Sequence, residues 1–392
     1  MRILLVGNYI PDAQESMQRF AQMLRTNLGR AGHEVRLITP PVSAGRLSVL
    51  GHGASKWLRH VDKLLLFPSI LRQEARWADI VHICDHSNAV YVRHVMERPN
   101  LVTCHDVLEI QGASGTIPKH PVRWSGRRLQ RMILSGLRQA RRIVCVSDAT
   151  TDGLMRLGGF DNERVSRVYN GPNARFAPME EAEAVRHLTH LGIDGPAPFV
   201  FHVGGDQWYK NRAGVVRIFA SLKRRWCDPR LKLVMAGKPL PRQIRELAAS
   251  KGLGDSLIEL PGVSNEQLNA LYSMAQLFLF PSLEEGFGWP IIEAQLCGCP
   301  VVTSSRAPMD EVAGNGAVYI DPADVEDAAS RVMDALPAMR DLRQLGFRNV
   351  QRFNAAAMAE SYAELYDRAI SERRRGSARR REFRPSTEPI PD

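Results

Sequence analysis

Two glutamates that stand eight residues apart, Glu285 and Glu293, flank a loop that contains Gly286 and Gly288. Carboxylates accept hydrogen bonds from adjacent hydroxyl groups, and glycines allow the backbone to approach a ligand closely. A helix that starts after such a loop adds free N–H groups and a positive potential for an anion. The pattern fits a polyol attached to a diphosphate, although Glu284, Glu285 and Glu293 are also compatible with solvated charges near a helix start.

The glutamates lie in a predicted β-loop-α-β unit. Leu277–Phe280 is an apolar run typical of a buried strand, and Val301–Thr303 is the next such run. Between them, Pro290 suits the first turn of a helix and Gly298 suits its end. Ligands bind outside the carboxyl ends of parallel strands, so the loop Glu284–Trp289 is expected at the binding edge of a sheet.

Strand-like and helical patterns alternate along the whole chain. An amphipathic helix is predicted between Gln14 and Ala31, and the alternation indicates parallel sheets covered on both faces. The length of 392 residues exceeds the roughly 250–300 residues of a single core. The predicted strands are Arg2–Asn8, Glu34–Pro40, Asp79–Cys84, Leu101–Asp106, Arg142–Ser147, Val165–Tyr169, Phe199–Gly204, Leu231–Ala236, Leu257–Leu260, Leu277–Phe280, Val301–Ser304 and Ala317–Ile320.

A segment without strand pattern, Gly171–Ala197, separates the two series of strands. The predicted fold class is α/β, with two doubly wound domains that face each other across a cleft. We expect an N-terminal domain over residues 1–175 and a C-terminal domain over residues 176–355. An amphipathic pattern over Asn354–Ile370 predicts a helix, and a basic tail over residues 371–392 is expected to be disordered.

The glutamate segment resembles the E-x7-E signature of family 4 glycosyltransferases, which have the GT-B fold with a C-terminal helix that crosses back to the first domain. The similarity runs through Phe-Pro-Ser-x-x-Glu-Gly-Phe-Gly-x-Pro-x-x-Glu-Ala-x-x-Cys-Gly-x-Pro-Val. The resemblance implies a retaining enzyme that moves a sugar from a UDP- or GDP-sugar to a hydroxyl of a glycan or lipid-linked acceptor. Cell-surface polysaccharide or glycolipid synthesis is the implied context.

The resemblance also implies roles for individual residues in the second half. Glu285 would bind the transferred sugar, together with the backbone of Gly286, Phe287 and Gly288, and Glu293 would bind the ribose hydroxyls. Three further donor-binding positions, Gly205, Lys210 and Asn211, follow Phe201-His-Val-Gly, which resembles the family's phosphate-binding strand end. By the same resemblance Lys210 would contact the diphosphate, and the backbone near Val263 would contact the base.

The first half is similar to the family at fewer positions. Thr103-Cys-His105-Asp106 resembles a His-Asp pair, which would point His105 at the reacting centre; a hydrogen-bonded structural histidine fits the same pattern. Asn170 and Gly171 would lie near the cleft. Two departures remove expected phosphate contacts, because Tyr9–Ser16 replaces a Gly-Gly loop and Gly205-Asp206 stands where relatives often carry an arginine.

The implied mechanism has no protein nucleophile. The leaving diphosphate would be stabilised by Lys210 and by the helix N-terminus at Pro290. No Asp-x-Asp motif occurs in the sequence, so we expect neither a metal nor another cofactor. The spacing of Cys297 and Cys299 is too close for common zinc sites, and packing is the expected role of these cysteines.

The net charge of +10 indicates an anionic partner. Three basic segments, Arg123–Arg142, Lys56–Phe67 and Arg373–Arg381, are candidates for contact with an anionic membrane, although ordinary domain helices with basic faces fit equally well. No signal peptide or spanning segment is recognised, so we expect a cytoplasmic protein, with attachment to the inner face of the plasma membrane left open. The alternatives are another GT-B enzyme, such as an epimerase or phosphorylase, and, less favoured, a basic nucleic-acid-binding protein.

Overall fold

A computed structural model describes residues 1–43, 58–117, 122–193 and 197–382. In these ranges two parallel six-stranded sheets are present, one formed by the first half of the chain and one by the second. Residues Lys56 and Trp57 of the candidate basic segment Lys56–Phe67 lie outside the described residues. We refer to the parts of the chain around the two sheets as the N-terminal and C-terminal domains.

The N-terminal sheet has the strand order β2-β1-β3-β4-β5-β6. Helices connect its parallel strands and cover both faces, as expected for a doubly wound fold. The strands are β1 (Arg2–Val6), β2 (Glu34–Ile38), β3 (Ile80–Ile83), β4 (Asn100–Cys104), β5 (Arg142–Cys145) and β6 (Val165–Arg167), and the helices are α1 (Glu15–Arg30), α2 (Phe67–Ala75), α3 (Leu108–Ser114), α4 (Trp124–Gln139) and α5 (Asp148–Arg156).

The C-terminal sheet has the strand order β12-β11-β10-β7-β8-β9. Its chain order reverses between β7 and β10, which makes their carboxyl ends the topological switch point where ligands bind in such folds. The strands are β7 (Phe199–Gly204), β8 (Lys232–Gly237), β9 (Leu257–Pro261), β10 (Leu277–Phe280), β11 (Val301–Ser304) and β12 (Ala317–Ile320), and the helices are α6 (Glu181–His190), α7 (Arg212–Arg225), α8 (Arg242–Ser250), α9 (Asn265–Met274), α10 (Trp289–Leu296), α11 (Met309–Ala313), α12 (Val325–Ala335), α13 (Met339–Asn349) and α14 (Ala355–Glu382).

All the strands that the sequence predicts are present in the described residues, each within a few residues of its predicted bounds. The central strands are recognisable because both faces are covered: every residue of β3, β4, β10 and β11 is buried. Strands buried on both faces consist of near-continuous apolar runs. The pattern that predicts them therefore follows from the doubly wound architecture itself.

The final helix, α14, crosses back and packs on α1, β3 and β4 of the N-terminal domain. Its attachment includes a buried polar network. The hydroxyl of Tyr366 lies 2.6 Å from His82 Nδ1, and His82 Nε2 lies 2.7 Å from Thr103 Oγ1. Thr103 is also hydrogen-bonded to Tyr362 at 2.9 Å. These contacts join the last helix to the central strands of the first sheet.

Two features of the second half differ from the sequence-based expectation. The prediction that the last helix ends at Ile370 is wrong, because α14 continues to Glu382. Glu372 forms an ion pair with Arg142 of β5, and no proline interrupts the helical run before residue 385. Residues 383–392 of the predicted disordered tail lie outside the described residues. Within Gly171–Ala197, predicted as a boundary, the chain forms α6, which packs on α9.

Candidate functional site

The glutamate loop follows β10 and precedes α10, at the switch point of the C-terminal sheet. Gly288 has a positive φ of 103° and caps the start of α10, which a residue with a side chain would adopt only with strain. Pro290 lies in the first turn of α10, as predicted. The backbone of the loop therefore lies at the edge of the sheet where the neighbouring strands β7 and β10 end.

Glu285 and Lys210 form a buried ion pair at this edge. The Lys210 Nζ atom lies 2.7 Å from Glu285 Oε1 and 3.0 Å from Oε2. Ser282 donates a third hydrogen bond to the same carboxylate at 2.8 Å. The two charged side chains are only 16% and 8% exposed. The structure thus joins the predicted sugar-binding and diphosphate-binding residues, which are 75 positions apart in the chain.

Glu293 is buried on the inner face of α10. It receives a hydrogen bond of 3.1 Å from the Tyr272 hydroxyl. Burial disfavours its charged form and raises the pKa of Glu293 to about 7, while the hydrogen bond from Tyr272 and the positive charges of Arg19 and Lys210 lower it. Glu293 therefore keeps its proton to a higher pH than an ordinary glutamate does.

The remaining predicted donor positions have mainly structural contacts. Asn211 adopts a left-handed conformation, caps α7 by accepting a bond from the Gly214 amide, and donates to the Pro281 carbonyl at 3.0 Å. It thereby ties the turn after β7 to the turn after β10. Gly205 lies in the same turn, tightly packed on Gln207. Val263 follows β9, two strands from β7 at the same sheet edge, and does not contact the ion pair in any described interaction.

His105 reaches the cleft from the N-terminal domain. Its Nε2 atom lies 2.9 Å from the Cys84 carbonyl. Because a carbonyl accepts hydrogen bonds, Nε2 carries the proton and Nδ1 keeps its lone pair, and Nδ1 has no partner among the described residues. The ring lies edge-on to Phe20 at 4.7 Å and 6.1 Å from the ring of Trp289. Burial lowers the pKa of His105, so its imidazole is neutral.

Asn170 and Gly171 lie where the two domains meet. The Gly171 carbonyl accepts a 3.0 Å hydrogen bond from Trp289 Nε1, and a Cβ atom at Gly171 would lie 2.5 Å from the Cα atom of Ala355. Asn170 is fully buried, and neither end of its amide has a hydrogen-bond partner in the described part of the chain. Both residues are therefore buried where the domains meet, their role near the cleft stays a prediction, and Gly171 is needed for close packing against α14.

Two family models cover most of the chain. Residues 17–175 match the model described as Glycosyltransferase Family 4, and residues 187–346 match the one described as Glycosyl transferases group 1. A D-inositol 3-phosphate glycosyltransferase of Nocardia farcinica is 30% identical over 331 residues, which cover 77% of this chain and 70% of that protein. This chain belongs to glycosyltransferase family 4.

A more distant relative and a solved structure are also similar to this chain. O-antigen chain mannosyltransferase B of Escherichia coli is 26% identical to this chain over 253 residues. The match covers 64% of each protein, so the chain spans just under two thirds of that relative's length. The solved structure of Anabaena Alr3699/HepE in complex with UDP and glucose has a TM-score of 0.70 at 16% identity and covers 94% of this chain and 99% of that chain. The predicted GT-B fold is confirmed.

The N-terminal domain of this family 4 chain contains a polar cluster that sequence reasoning missed. Asp85 and His86 lie just after β3, separated from it by Cys84, and Asn8 lies just after β1. In the first sheet the chain order reverses between β1 and β3, so these residues occupy its switch point. Asn8 donates a hydrogen bond to Asp85. The available signal was the Asp-His pair at the end of an apolar strand-like run.

His86 is the charged centre of this cluster. Its Nδ1 atom lies 3.1 Å from Asp85 Oδ1, and Nε2 lies 4.0 Å from Asp106 Oδ1. Burial disfavours protonation, but the adjacent carboxylate of Asp85 and the charge of Asp106 outweigh it and raise the pKa of His86 to about 9. The same pairing holds the pKa of Asp85 below its usual range despite burial. An ion pair thus lies on each side of the cleft, Asp85–His86 in the N-terminal domain and Lys210–Glu285 in the C-terminal domain.

A cavity of about 190 Å³ opens between the two domains. It lies beside the glutamate loop Glu284–Trp289, which we call the donor loop because it is predicted to bind the donor. Asp106, Thr150, Arg156, Glu284 and Glu285 are among its lining residues. A larger cavity of about 660 Å³ lies at the opposite edge of the C-terminal sheet, where Pro300 precedes β11, and none of the predicted site residues lines it. Of these two cavities, the smaller is the one lined by a predicted site residue, Glu285.

Proposed function

We propose that this chain transfers a sugar from a UDP- or GDP-sugar to a hydroxyl group of a glycan or lipid-linked acceptor, with retention of the anomeric configuration. The observation that carries the proposal is the buried Lys210–Glu285 pair at the switch point between β7 and β10. A nucleotide-sugar presents a diphosphate beside sugar hydroxyls. A cation beside a carboxylate is complementary to that arrangement.

Lys210 and the start of α10 would act on the leaving group. Sugar transfer places negative charge on the departing diphosphate, and preorganised positive groups stabilise such charge most effectively in a site that excludes water. Lys210 supplies a cation that is 16% exposed, and α10 supplies the unpaired amides of its first turn. Because these groups provide the positive charge, we propose that transfer proceeds without an added metal; full activity in a chelator would support this.

Glu285 and His105 would orient the sugar. Ser282 and Lys210 hold the Glu285 carboxylate in one position, from which it accepts hydrogen bonds from sugar hydroxyls. The unpartnered Nδ1 of His105 supplies a neutral acceptor from the opposite domain. On the nucleotide side, Glu293 is proposed to accept hydrogen bonds from the ribose.

The decisive variant is Glu285→Gln. It keeps the shape of the side chain but removes the charge that pairs with Lys210, and we expect transfer to fall by about 100-fold or more. The affinity for the nucleoside diphosphate should change little, because Lys210 and Glu293, the proposed contacts of the diphosphate and the ribose, are left in place. Glu246→Gln is the matched control, since Glu246 pairs with Arg242 on the exposed surface of the same domain. Normal turnover of Glu285→Gln would overturn the assignment.

A thermal-shift panel of UDP-, GDP- and ADP-sugars would identify the donor. UDP is included because the Anabaena structure contains UDP and glucose, and GDP because mannose is commonly carried on GDP and one relative is named a mannosyltransferase. The relatives' names, O-antigen chain mannosyltransferase and D-inositol 3-phosphate glycosyltransferase, support glycan and polyol acceptors. Interconversion of the donor in the absence of any acceptor would instead indicate an epimerase.

A lipid-linked acceptor is supported by one face of the N-terminal domain. Helix α4 buries Ile133 and Leu137, whereas Trp124 at its start is 70% exposed. Leu65, just before α2, is 71% exposed. Both α2 and α4 pack on the intervening segment His86–His94. We therefore propose that the exposed sides of α2 and α4 contact an anionic membrane surface.

The arginines of the basic segments are not equally available for contact with a membrane. Arg138 donates hydrogen bonds to backbone carbonyls of the loop after α5, and Arg142 forms an ion pair with Glu372. Arg128 and Arg131 remain on the exposed side of α4. The run Arg373–Arg381 continues α14 as a third basic element, although side chains beyond residue 375 lie outside the described part.

Co-sedimentation with vesicles tests the membrane contact. Binding to vesicles with about 30% anionic lipid should exceed binding to neutral vesicles, and Trp124→Ala with Arg128→Glu should abolish the difference. Val185→Ala is the control, because Val185 is an exposed apolar residue of α6 in the other domain. Equal binding to both kinds of vesicle would contradict the proposed contact with an anionic membrane. Among the described residues, no helix has the length and apolar character required to span a membrane.

A further inference from the structure

The carbonyl of Gly286 in the donor loop is held by two hydroxyl groups of the other domain. Ser147 Oγ lies 2.7 Å and Thr150 Oγ1 lies 3.0 Å from the Gly286 oxygen. Ser147 also caps α5, since its Oγ atom accepts a bond from the Thr150 amide. That role uses an oxygen lone pair and leaves the hydroxyl proton of Ser147 free to be donated to Gly286.

The contact leaves no room for a side chain on the loop. A Cβ atom at Gly286 would lie 1.9 Å from the His105 carbonyl oxygen and 2.9 Å from the Cβ atom of Asp106. The backbone of the donor loop therefore lies directly against the carboxyl end of β4. The hydroxyl pair and the absence of a Cβ atom together allow this close approach.

A second element of the C-terminal domain docks on the same helix end. Glu311 of α11 accepts hydrogen bonds from the amides of Asp148 and Ala149, at 2.8 and 3.3 Å. These are the first amides of α5, where a carboxylate is favoured by unpaired N–H groups and by the helix dipole. Two separate segments of the C-terminal domain, the donor loop and α11, thus converge on the start of α5.

We propose that Ser147 and Thr150 are positioning residues for the sugar-binding loop and complete the donor site only when the two domains are together. A trans peptide unit is planar, so its C=O and N–H groups point in opposite directions. Fixing the Gly286 carbonyl toward α5 therefore fixes the direction of the Phe287 amide. Separation of the domains would release the carbonyl and leave the loop without its anchor. The inference rests on the proposed function, in which this loop binds the transferred sugar.

The chain offers a matched control one residue further along. Thr151 is on the same turn of α5, but its hydroxyl bonds to the Ser147 carbonyl at 2.9 Å and does not contact the loop in any described interaction. Thr150→Val and Thr151→Val therefore make the same chemical change, and only the first removes a bond to Gly286. Thr150→Ser keeps the hydroxyl and serves as the rescuing variant.

The kinetic test compares kcat with donor KM and with nucleotide affinity. We expect Thr150→Val to lower kcat by about five- to tenfold, the effect of one net hydrogen bond, and Ser147→Ala with Thr150→Val to lower it further. The affinity for the free nucleoside diphosphate should stay unchanged, and Thr150→Ser should restore kcat. Equal kcat values for Thr150→Val and Thr151→Val would overturn the inference, as would a parallel loss of nucleotide affinity.

Amide hydrogen exchange separates this inference from the proposed function. In the ligand-free protein, Thr150→Val should accelerate exchange in residues 284–288 relative to wild type, and Thr151→Val should not. This readout does not require transfer activity. If no donor is turned over but the loop still exchanges faster in Thr150→Val, the proposed function fails and the anchoring role stands. If exchange is unchanged in Thr150→Val, the anchoring role fails whatever the activity.

Discussion

Glu293→Gln is expected to stabilise the protein at alkaline pH while weakening nucleotide binding. The Glu293 side chain is 6% exposed and receives one described hydrogen bond, from Tyr272. Burial raises its pKa from 4.5 to about 7. A buried carboxylate with so little compensation is unfavourable for the fold alone. Its presence is reasonable if ribose hydroxyls complete its hydrogen bonds when the donor binds.

The sign and size of the effect follow from the two pKa values. The folded protein holds the proton on Glu293 more tightly than the unfolded chain, so stability is unaffected below about pH 4.5 and falls as the pH rises to about 7. The full effect above pH 7 is about 3 kcal/mol, at roughly 1.4 kcal/mol for each pKa unit. Glutamine has no charge to bury, so the variant avoids this loss.

Differential scanning calorimetry at pH 5 and pH 8.5 would measure the difference. We expect Glu293→Gln to melt about 5 °C or more above wild type at pH 8.5 and at nearly the same temperature at pH 5. Glu266→Gln, at the exposed start of α9, serves as the control. Titration calorimetry should show weaker nucleotide binding by Glu293→Gln. Parallel melting curves for wild type and Glu293→Gln at both pH values would refute the argument.

Two shorter predictions concern packing between the domains. Gly286→Ala places a Cβ atom 1.9 Å from the His105 carbonyl and should lower transfer about 100-fold, whereas Gly29→Ala, which meets open space, should not; similar steady-state rates for the two variants would contradict the close contact. Tyr366→Phe removes the hydroxyl that bonds His82 and should lower the free energy of unfolding by about 1–2 kcal/mol; denaturant midpoints unchanged from wild type would show that this bond is dispensable.

The fold was predictable because its central strands are buried on both faces. Each central strand, such as Leu277–Phe280, is a short apolar run between glycines, prolines and helical patterns, and that signal is local in the sequence. No local sequence signal, by contrast, predicted that α14 extends beyond Ile370. Within the extension, Glu372 contacts Arg142, which lies 230 residues earlier in the chain. The charged composition that suggested disorder could not reveal that partner.

The candidate site was predictable on its donor side and less so on the other. The spacing of Glu285 and Glu293 could be identified within one segment, whereas the pairing of Glu285 with Lys210 joins two loops that only the strand order brings together. The Asp85–His86 pair does follow an apolar strand-like run, but only the strand order shows that this run ends at the switch point of the first sheet. The Ser147 and Thr150 contacts required the relative placement of the two domains.

In the proposed function, the paired charges explain how a largely buried site can accept a highly charged donor. A lone Lys210 or Glu285 buried to this degree would carry a large desolvation cost, but each compensates the other at 2.7 Å. A nucleotide-sugar brings both replacement partners, phosphate oxygens for the lysine and hydroxyls for the carboxylate. Donor binding on this account exchanges the partners of two side chains that are already largely shielded from solvent. A free nucleoside diphosphate supplies only one of the two, which is why the sugar, more than the nucleotide, should depend on Glu285 and on the anchored loop beside it.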